Sequence, residues 1–167
     1  SYRQYGNGRP LSQVDQLSPK DFDYIAGASL FFPASTLKSG LNQPPGSSAK
    51  KSVTGQYWLN EEFFLYFEEL DLARRLKPGL GLGWCRDALI KHVGGIGTGA
   101  QDNRRSGLAE YHSTLSALKF THLYYPRRLW AMAPLRYLAK CLLLILTGEF
   151  RLIGVMTKAY LDYRSDS

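Results

Sequence analysis

The chain has 167 residues, enough for one domain with a hydrophobic core or for one domain with a helical appendage. Apolar residues make up 44% and charged residues 21%, a globular composition that argues against a disordered or collagen-like protein. Two cysteines, Cys85 and Cys141, are too few for a structural zinc framework or a disulfide-stapled fold. They favour a reducing compartment.

The formal net charge of +7 is concentrated in the C-terminal part of the chain. Residues 1–100 carry 11 Lys/Arg against 9 Asp/Glu, whereas residues 101–167 carry 10 against 5. A basic segment suits nucleic acid or an anionic membrane surface, and it is also compatible with ordinary solubility. We expect no nucleic-acid partner, because the cations follow an apolar helical pattern and are not interleaved with stacking aromatic residues.

Two segments have the composition of β-strands. Residues 23–32 combine aromatic, β-branched and small side chains and end at Pro33, which predicts a buried strand interrupted by Gly27 and Ala28. Small residues inside a strand are typical of a place where a ligand or another backbone comes close. Residues 81–93 predict one or two further strands.

Five segments have helix-forming patterns with recognisable starts or stops. They are residues 34–41, the second half of 60–77, and 108–124, 127–146 and 149–163. In the second of these segments acidic residues precede Arg74 and Arg75, an order that matches the helix dipole. The fourth contains Pro134, Arg136 and Lys140, so we do not expect it to span a bilayer.

The densest acidic cluster of the sequence contains Glu68 and Glu69, which follow the aromatic run Phe63–Phe67. Carboxylates at a helix start beside apolar rings are candidates for a general base. Acidic residues in a first helical turn are also ordinary capping groups, and the residues alone leave both readings open.

A lone histidine, His92, precedes a glycine-rich turn at residues 94–99. Such a histidine is more often a structural hydrogen-bonding group than a metal ligand. The glycine spacing matches neither a P-loop nor a dinucleotide-binding fingerprint, so it is a weak indication of phosphate binding.

Four blocks in this order resemble the acceptor-side half of family-two glycosyltransferases, with rhamnosyltransferase-like members the best fit. The blocks read D-Y-I-A-G-A-S-L-F-F-P, S-G-L, L-N-E-E-F-F-L-Y-F-E-E-L-D-L-A-R-R and A-L-I-K-H-V-G-G, and together they span residues 21–99. A Pro/Gly/Ser/Lys-rich loop at about residues 42–56 is longer than the connection usual in that family.

The resemblance implies an inverting transferase whose catalytic base lies at the start of the acidic helix. In the family the second acidic position usually carries Asp, and here that position is Glu69. Glu69 is thus expected to deprotonate the acceptor hydroxyl. Glu68 and Asp71 flank it, and the longer Glu side chain leaves the identity of the base open among these three.

The resemblance also implies substrate and metal positions. Gly27, Ala28, Trp58 and Arg75 are expected to bind substrate. His92 is expected to help hold a divalent metal, Mn²⁺ or Mg²⁺, under the donor diphosphate. Neutral imidazole suits Mn²⁺ better than Mg²⁺.

The fold class implied by the resemblance is α/β. We expect a partial GT-A, Rossmann-like, acceptor-side half with a mixed sheet over residues 1–100, followed by C-terminal α-helices over residues 101–167. The nucleotide-holding strand–helix units with their Asp-x-Asp motif have no counterpart here. The chain is therefore expected to be a fragment that shares its metal with an absent N-terminal half and is inactive alone.

The implied function is transfer of a sugar from a nucleotide-sugar donor to a saccharide or lipid-linked acceptor in bacterial surface polysaccharide synthesis. The alternative is a non-catalytic interaction or carbohydrate-binding module that keeps the acceptor half only. Leucines and an isoleucine recur at helical spacing between residues 135 and 145 beside several cations. This stripe predicts either a cytoplasmic protein held peripherally on the inner, anionic face of the plasma membrane, or a helix packed on its own domain or in a homo-oligomer.

Overall fold

The computed structural model describes residues 30–39, 59–76, 83, 85 and 106–166. These residues are 75% helical, and they contain no β-strand and no sheet. The prediction of an α/β, Rossmann-like half with a mixed sheet is therefore wrong for the described residues, which form a helical protein.

Five helices make up the described structure. They are α1 (Ala34–Ser39), α2 (Glu68–Arg75), α3 (Gly107–Tyr124), α4 (Pro126–Leu146) and α5 (Arg151–Asp166). Each lies within about three residues of a helix predicted from the sequence, as end fraying allows, and α2 coincides with the second half of residues 60–77. The helical part of the sequence analysis is thus confirmed.

The predicted strand at residues 23–32 is described only from Leu30 onward, and there the backbone is not a strand. Phe31 is exposed, and the carbonyl of Pro33 accepts a hydrogen bond from the Thr36 N–H at 2.9 Å. The chain therefore turns directly into α1, which leaves these residues no length for a ladder. Of the predicted strands in 81–93 only Gly83 and Cys85 are described, and neither is in a strand.

The described residues fall into two compact units. Residues 30–39, 59–60 and 69–76, with Gly83 and Cys85, belong to the first unit, and residues 61–68 and 106–166 belong to the second. In the second unit α3 packs most extensively on α5, while α4 lies against both. Its core contains Ala117, Leu118 and Phe120 of α3, Leu144 of α4, and Leu152, Met156 and Ala159 of α5.

The turn between α4 and α5 ends the helix in the way that the sequence predicts. Gly148 has φ +71°, its N–H bonds the carbonyl of Ile145, and the Glu149 N–H bonds the carbonyl of Leu144. This pair of bonds is a Schellman motif, which needs a left-handed residue that glycine adopts without steric cost.

A polar contact joins α3 to α5 beside the core. The Tyr111 hydroxyl donates to Oδ2 of Asp162 at 2.6 Å, and Lys158, one turn away, donates to the same oxygen. The hydrogen bonds from Lys158 and Tyr111 hold the pKa of the Asp162 carboxyl below its ordinary value. The contact therefore stabilises the packed helices only while this carboxyl is ionised.

We expect Tyr111→Phe to lower stability at neutral pH and to make stability less dependent on pH in the acid range. A lowered carboxyl pKa contributes stability above the pKa of the unfolded chain and loses it as pH falls below about 4. Without the Tyr111 hydroxyl the folded-state pKa of Asp162 moves back toward that of the unfolded chain, so less stability is present at neutral pH and less is lost in acid. Urea unfolding at pH values between neutral and strongly acidic measures the effect.

The Asp162→Asn background is the control for this prediction. Its amide does not titrate, so Tyr111→Phe should no longer change the pH dependence there. An unchanged pH profile for Tyr111→Phe in the wild-type background would show that the hydroxyl does not influence the carboxylate.

Candidate functional site

The acidic pair singled out by the sequence lies in the first turn of α2. The helix begins at Glu68, and Glu68 and Glu69 are both half-buried. Backbone N–H groups at a helix start have no partner within the helix, and the dipole there favours negative charge. The two carboxylates therefore lie at the positive end of the helix dipole.

The third carboxylate of the cluster is committed to an ion pair. Nε of Arg75 lies 2.7 Å from Oδ2 of Asp71, one helical turn away, and the two side chains are 2% and 0% exposed. Either charge alone would be costly to bury, so each requires the other. Asp71 and Arg75 are thus buried and paired with each other. Glu68 and Glu69 are half-buried as residues, but Oε2 of Glu68 is itself buried.

The two glutamates leave α2 in different directions, because successive helical residues are rotated by about 100°. Glu68 precedes Asp71 by three residues and so shares its face, which also includes the buried Leu72. Glu69 lies on the side of Ala73, which is half-buried. A hydroxyl that approaches one of these carboxylates therefore meets a different surface from one that approaches the other.

The chain enters α2 through a strained turn. Tyr66 and Phe67 have φ values of 67° and 72°, the left-handed region that bulky side chains rarely adopt. Two consecutive residues of this kind cost about 1–3 kcal/mol each, so neighbouring contacts must hold them in place. Strain of this kind concentrates where a side chain has to be presented in one particular direction.

Side chains of α3 supply those contacts within the second unit. The ring of Phe120 lies 5.3 Å from that of Phe67 and 6.2 Å from that of Phe63. The Ser116 hydroxyl donates to the carbonyl of Leu65 at 2.8 Å. The turn is therefore held by a ring cluster and by a hydrogen bond to its backbone.

We expect Ser116→Ala to lower the free energy of unfolding by about 1 kcal/mol. The substitution removes the donor to Leu65, and Ser116 is 3% exposed, so water does not readily replace it. Chemical denaturation measures the loss.

Ser113→Ala is the matched control, because the Ser113 hydroxyl bonds the carbonyl of Glu110 within its own helix. It should change stability by only a few tenths of a kcal/mol. Equal effects of the two substitutions would mean that the bond to Leu65 does not support the turn.

The remaining predicted site residues cannot be placed. Gly27, Ala28, Trp58 and His92 lie outside the described residues. Within the described part of the chain no group of three His, Cys, Asp or Glu side chains is arranged to hold a metal ion. The divalent-metal prediction stays a prediction, and no step proposed below passes through a metal.

Sequence reasoning missed the contacts that hold the turn preceding α2. Ser116 and Phe120 gave no signal, because their partners at Leu65 and Phe67 are about 50 residues away in the chain. The Asp71–Arg75 pair had a visible signal, an acid and a base four residues apart on a predicted helix. Its burial was not visible.

Comparison with protein-family models, with characterised proteins and with solved structures finds no match for this chain. The functional interpretation therefore depends on the residues of α2 and on the resemblance of the four sequence blocks.

Proposed function

We propose that this chain takes part in inverting transfer of a sugar from a nucleotide-sugar donor to a saccharide or lipid-linked acceptor. In the proposed reaction the Glu69 carboxylate removes the proton of an acceptor hydroxyl. The oxygen attacks the anomeric carbon as the bond from that carbon to the donor diphosphate breaks on the opposite face. The proton remains on Glu69, the sugar is bound to the acceptor with inverted configuration, and a nucleoside diphosphate leaves.

The observation that supports this proposal most directly is the distribution of the three acids on α2. Asp71 is 0% exposed and pairs with the Arg75 guanidinium at 2.7 Å, so an acceptor hydroxyl does not reach its carboxylate. Glu69 is half-buried in the first turn of the helix, at the position where the resemblance puts the base, whereas Oε2 of Glu68 is buried.

The other side chains of this region receive supporting roles in the proposal. Arg75 holds Asp71 and stiffens the helix that presents the base, rather than contacting substrate itself. The strained turn at Tyr66 and Phe67 directly precedes α2 in the chain. Gly27, Ala28 and Trp58 remain proposed substrate contacts on the strength of the resemblance.

The test is a transfer assay on the complete gene product that contains this chain. The protein is incubated with UDP-, dTDP- and GDP-sugars, with Mn²⁺ or Mg²⁺, and with lipid-linked and free saccharide acceptors. We expect acceptor-dependent release of a nucleoside diphosphate and a glycosylated product of inverted anomeric configuration. No release with any donor, or a product of retained configuration, would contradict the proposal.

The alternative, a non-catalytic carbohydrate-binding module, makes a different prediction in the same experiment. Such a module would bind saccharides in calorimetry without donor turnover, and its affinity would not respond to nucleotide-sugars.

A further inference from the structure

Helix α4 presents its apolar side to solvent and its polar side to the protein. Between Leu129 and Leu146 both charged residues, Arg136 and Lys140, lie on the half-buried stripe, together with Tyr137. The exposed side chains of this stretch are all apolar: Trp130, Ala131, Met132, Pro134, Leu135, Leu138, Ala139, Leu142, Leu143, Ile145 and Leu146. A helix on the surface of a globular protein normally has the reverse arrangement.

Polar contacts fix the rotation of α4 in this orientation. Lys140 pairs with Glu110 of α3, and Glu110 is 5% exposed. The hydroxyls of Tyr137 and Thr157 are hydrogen-bonded at 2.9 Å, and the Tyr160 hydroxyl donates to the carbonyl of Ala133 at 2.9 Å. Turning the apolar side inward would break all of these contacts, so the exposed stripe is a property of the folded helix packing.

This arrangement corrects the expected distribution of positive charge. The sequence suggested that Arg136 and Lys140 would face an anionic surface, but they face α3 and α5. The exposed cations of α4 are Arg127 and Arg128, at one end of the stripe and next to Trp130, whose side chain is 87% exposed. Tryptophan and arginine residues at the end of an apolar helix are typical of the headgroup level of a membrane.

By length and composition α4 is the one described helix apolar enough to cross a membrane. Its packing argues for a different placement. If α4 spanned the membrane, the part of α5 packed against its middle would enter the hydrocarbon. Burying the charged side chains Lys158 and Asp162 of α5 there would be costly in free energy. An α4 lying in the membrane plane buries only its exposed stripe.

A second copy of the chain fits the stripe less well than lipid does. No acidic residue occurs between Pro126 and Gly148, so two stripes packed together offer no carboxylate to Arg127 and Arg128 within the contact. Glu110 already pairs with Lys140 on the other side of α4, and Glu149, just after the helix, is bound by Arg151 at 3.3 Å. Lipid phosphates supply both the negative charge for the arginines and the adjoining acyl chains for the stripe.

We propose that the exposed side of α4 is a membrane-binding surface that inserts in the plane of an anionic leaflet. Leu135, Leu138 and Leu142 enter the acyl boundary, and Arg127 and Arg128 bind headgroup phosphates. The proposal does not depend on glycosyl transfer, since it concerns a different helix and a different ligand.

The test is co-sedimentation of the full chain with two kinds of vesicle. One contains phosphatidylcholine alone, and the other contains phosphatidylcholine and phosphatidylglycerol in equal parts. We expect binding to the anionic vesicles that high salt reverses. Leu138→Glu should lower the partition coefficient onto anionic vesicles at least about tenfold, because a charge replaces an inserted leucine. Arg127→Gln with Arg128→Gln should weaken binding about thirtyfold on anionic vesicles and little on neutral ones.

Leu161→Glu is the matched control. Leu161 is on α5 and is 62% exposed, close to the 65% of Leu138, so the same charge is added at a similarly exposed leucine outside the stripe. The partition coefficient of Leu161→Glu should fall much less than that of Leu138→Glu. Circular dichroism should show that all variants keep their helices. Equal losses for Leu138→Glu and Leu161→Glu would overturn the proposal.

Three further outcomes would also overturn it. Absence of binding to anionic vesicles excludes lipid as the ligand. A dimer that Leu138→Glu dissociates, without any vesicle binding, assigns the stripe to a second copy. Binding that resists both high salt and alkaline extraction indicates a spanning helix rather than in-plane insertion.

Discussion

Glu69→Gln is expected to lower kcat of sugar transfer by at least about 10²–10⁴-fold, the usual contribution of a positioned general base. Glutamine keeps the shape of the side chain and its place in the first turn of α2, but it cannot take the proton of the acceptor hydroxyl. Donor affinity should change little, because the base acts on the acceptor. Initial rates of nucleoside diphosphate release, measured over donor and acceptor concentrations, separate the two effects.

The neighbouring acids provide the controls for this substitution. Glu68→Gln changes the carboxylate one residue away, whose Oε2 is buried, and should retain most of kcat. If Glu68→Gln abolishes transfer while Glu69→Gln does not, the base is Glu68. Near-normal turnover of both variants would remove the general base from the start of α2 altogether.

The helices could be predicted from the sequence because their ends are encoded locally. Gly148 stops α4 through a left-handed turn, and Pro126 separates α3 from α4 at the kind of position where a helix starts. Such signals need no knowledge of the rest of the chain. The same holds for the charge order of α2, where acids precede Arg74 and Arg75.

The sheet was predicted from composition and from the resemblance, and composition does not distinguish strand from other buried backbone. Leu30, Phe31 and Phe32 are typical strand residues, but a strand also needs a partner to satisfy its N–H and C=O groups. Pro33 and the turn into α1 follow at once. Phe31 is also exposed, so the aromatic residues here indicated neither a strand nor its burial.

The orientation of α4 shows what periodicity leaves undetermined. Leu135, Leu138 and Leu142 form the stripe that their spacing predicts, but spacing does not say whether the stripe faces the core or the solvent. The ion pair between Lys140 and Glu110, which is 30 residues away, sets the rotation of α4 and so turns the stripe toward solvent. A partner so distant in sequence cannot be read from a helical pattern.

The candidate site also could be predicted only in part from the sequence. The position of Glu68 and Glu69 in a first helical turn was predictable, whereas the left-handed turn before it was not, because Tyr66 and Phe67 are residues that disfavour that conformation. Long-range contacts impose it. The role of Asp71 also depended on burial, which converts an ordinary i,i+4 pair into a structural element.

Arg75→Met is expected to lower the free energy of unfolding by about 3–5 kcal/mol. It leaves the Asp71 carboxylate, 0% exposed, without the cation that now lies 2.7 Å away. Urea unfolding measures the loss as a lower midpoint at unchanged slope. Arg151→Met is the control, because Arg151 also pairs with a nearby acid but its side chain is 58% exposed, so its loss should cost under about 1 kcal/mol.

A double substitution separates the pair's structural role from a role in the chemistry. Asp71→Leu with Arg75→Met replaces both charges with apolar side chains, so most of the stability lost in Arg75→Met should return. If Asp71 only holds the helix that presents Glu69, this double variant should also keep kcat within about tenfold of the wild type. Restored stability with abolished transfer would show instead that one of the two charged groups acts in the reaction. A double variant no more stable than Arg75→Met would show that the pair is not an isolated unit of the fold.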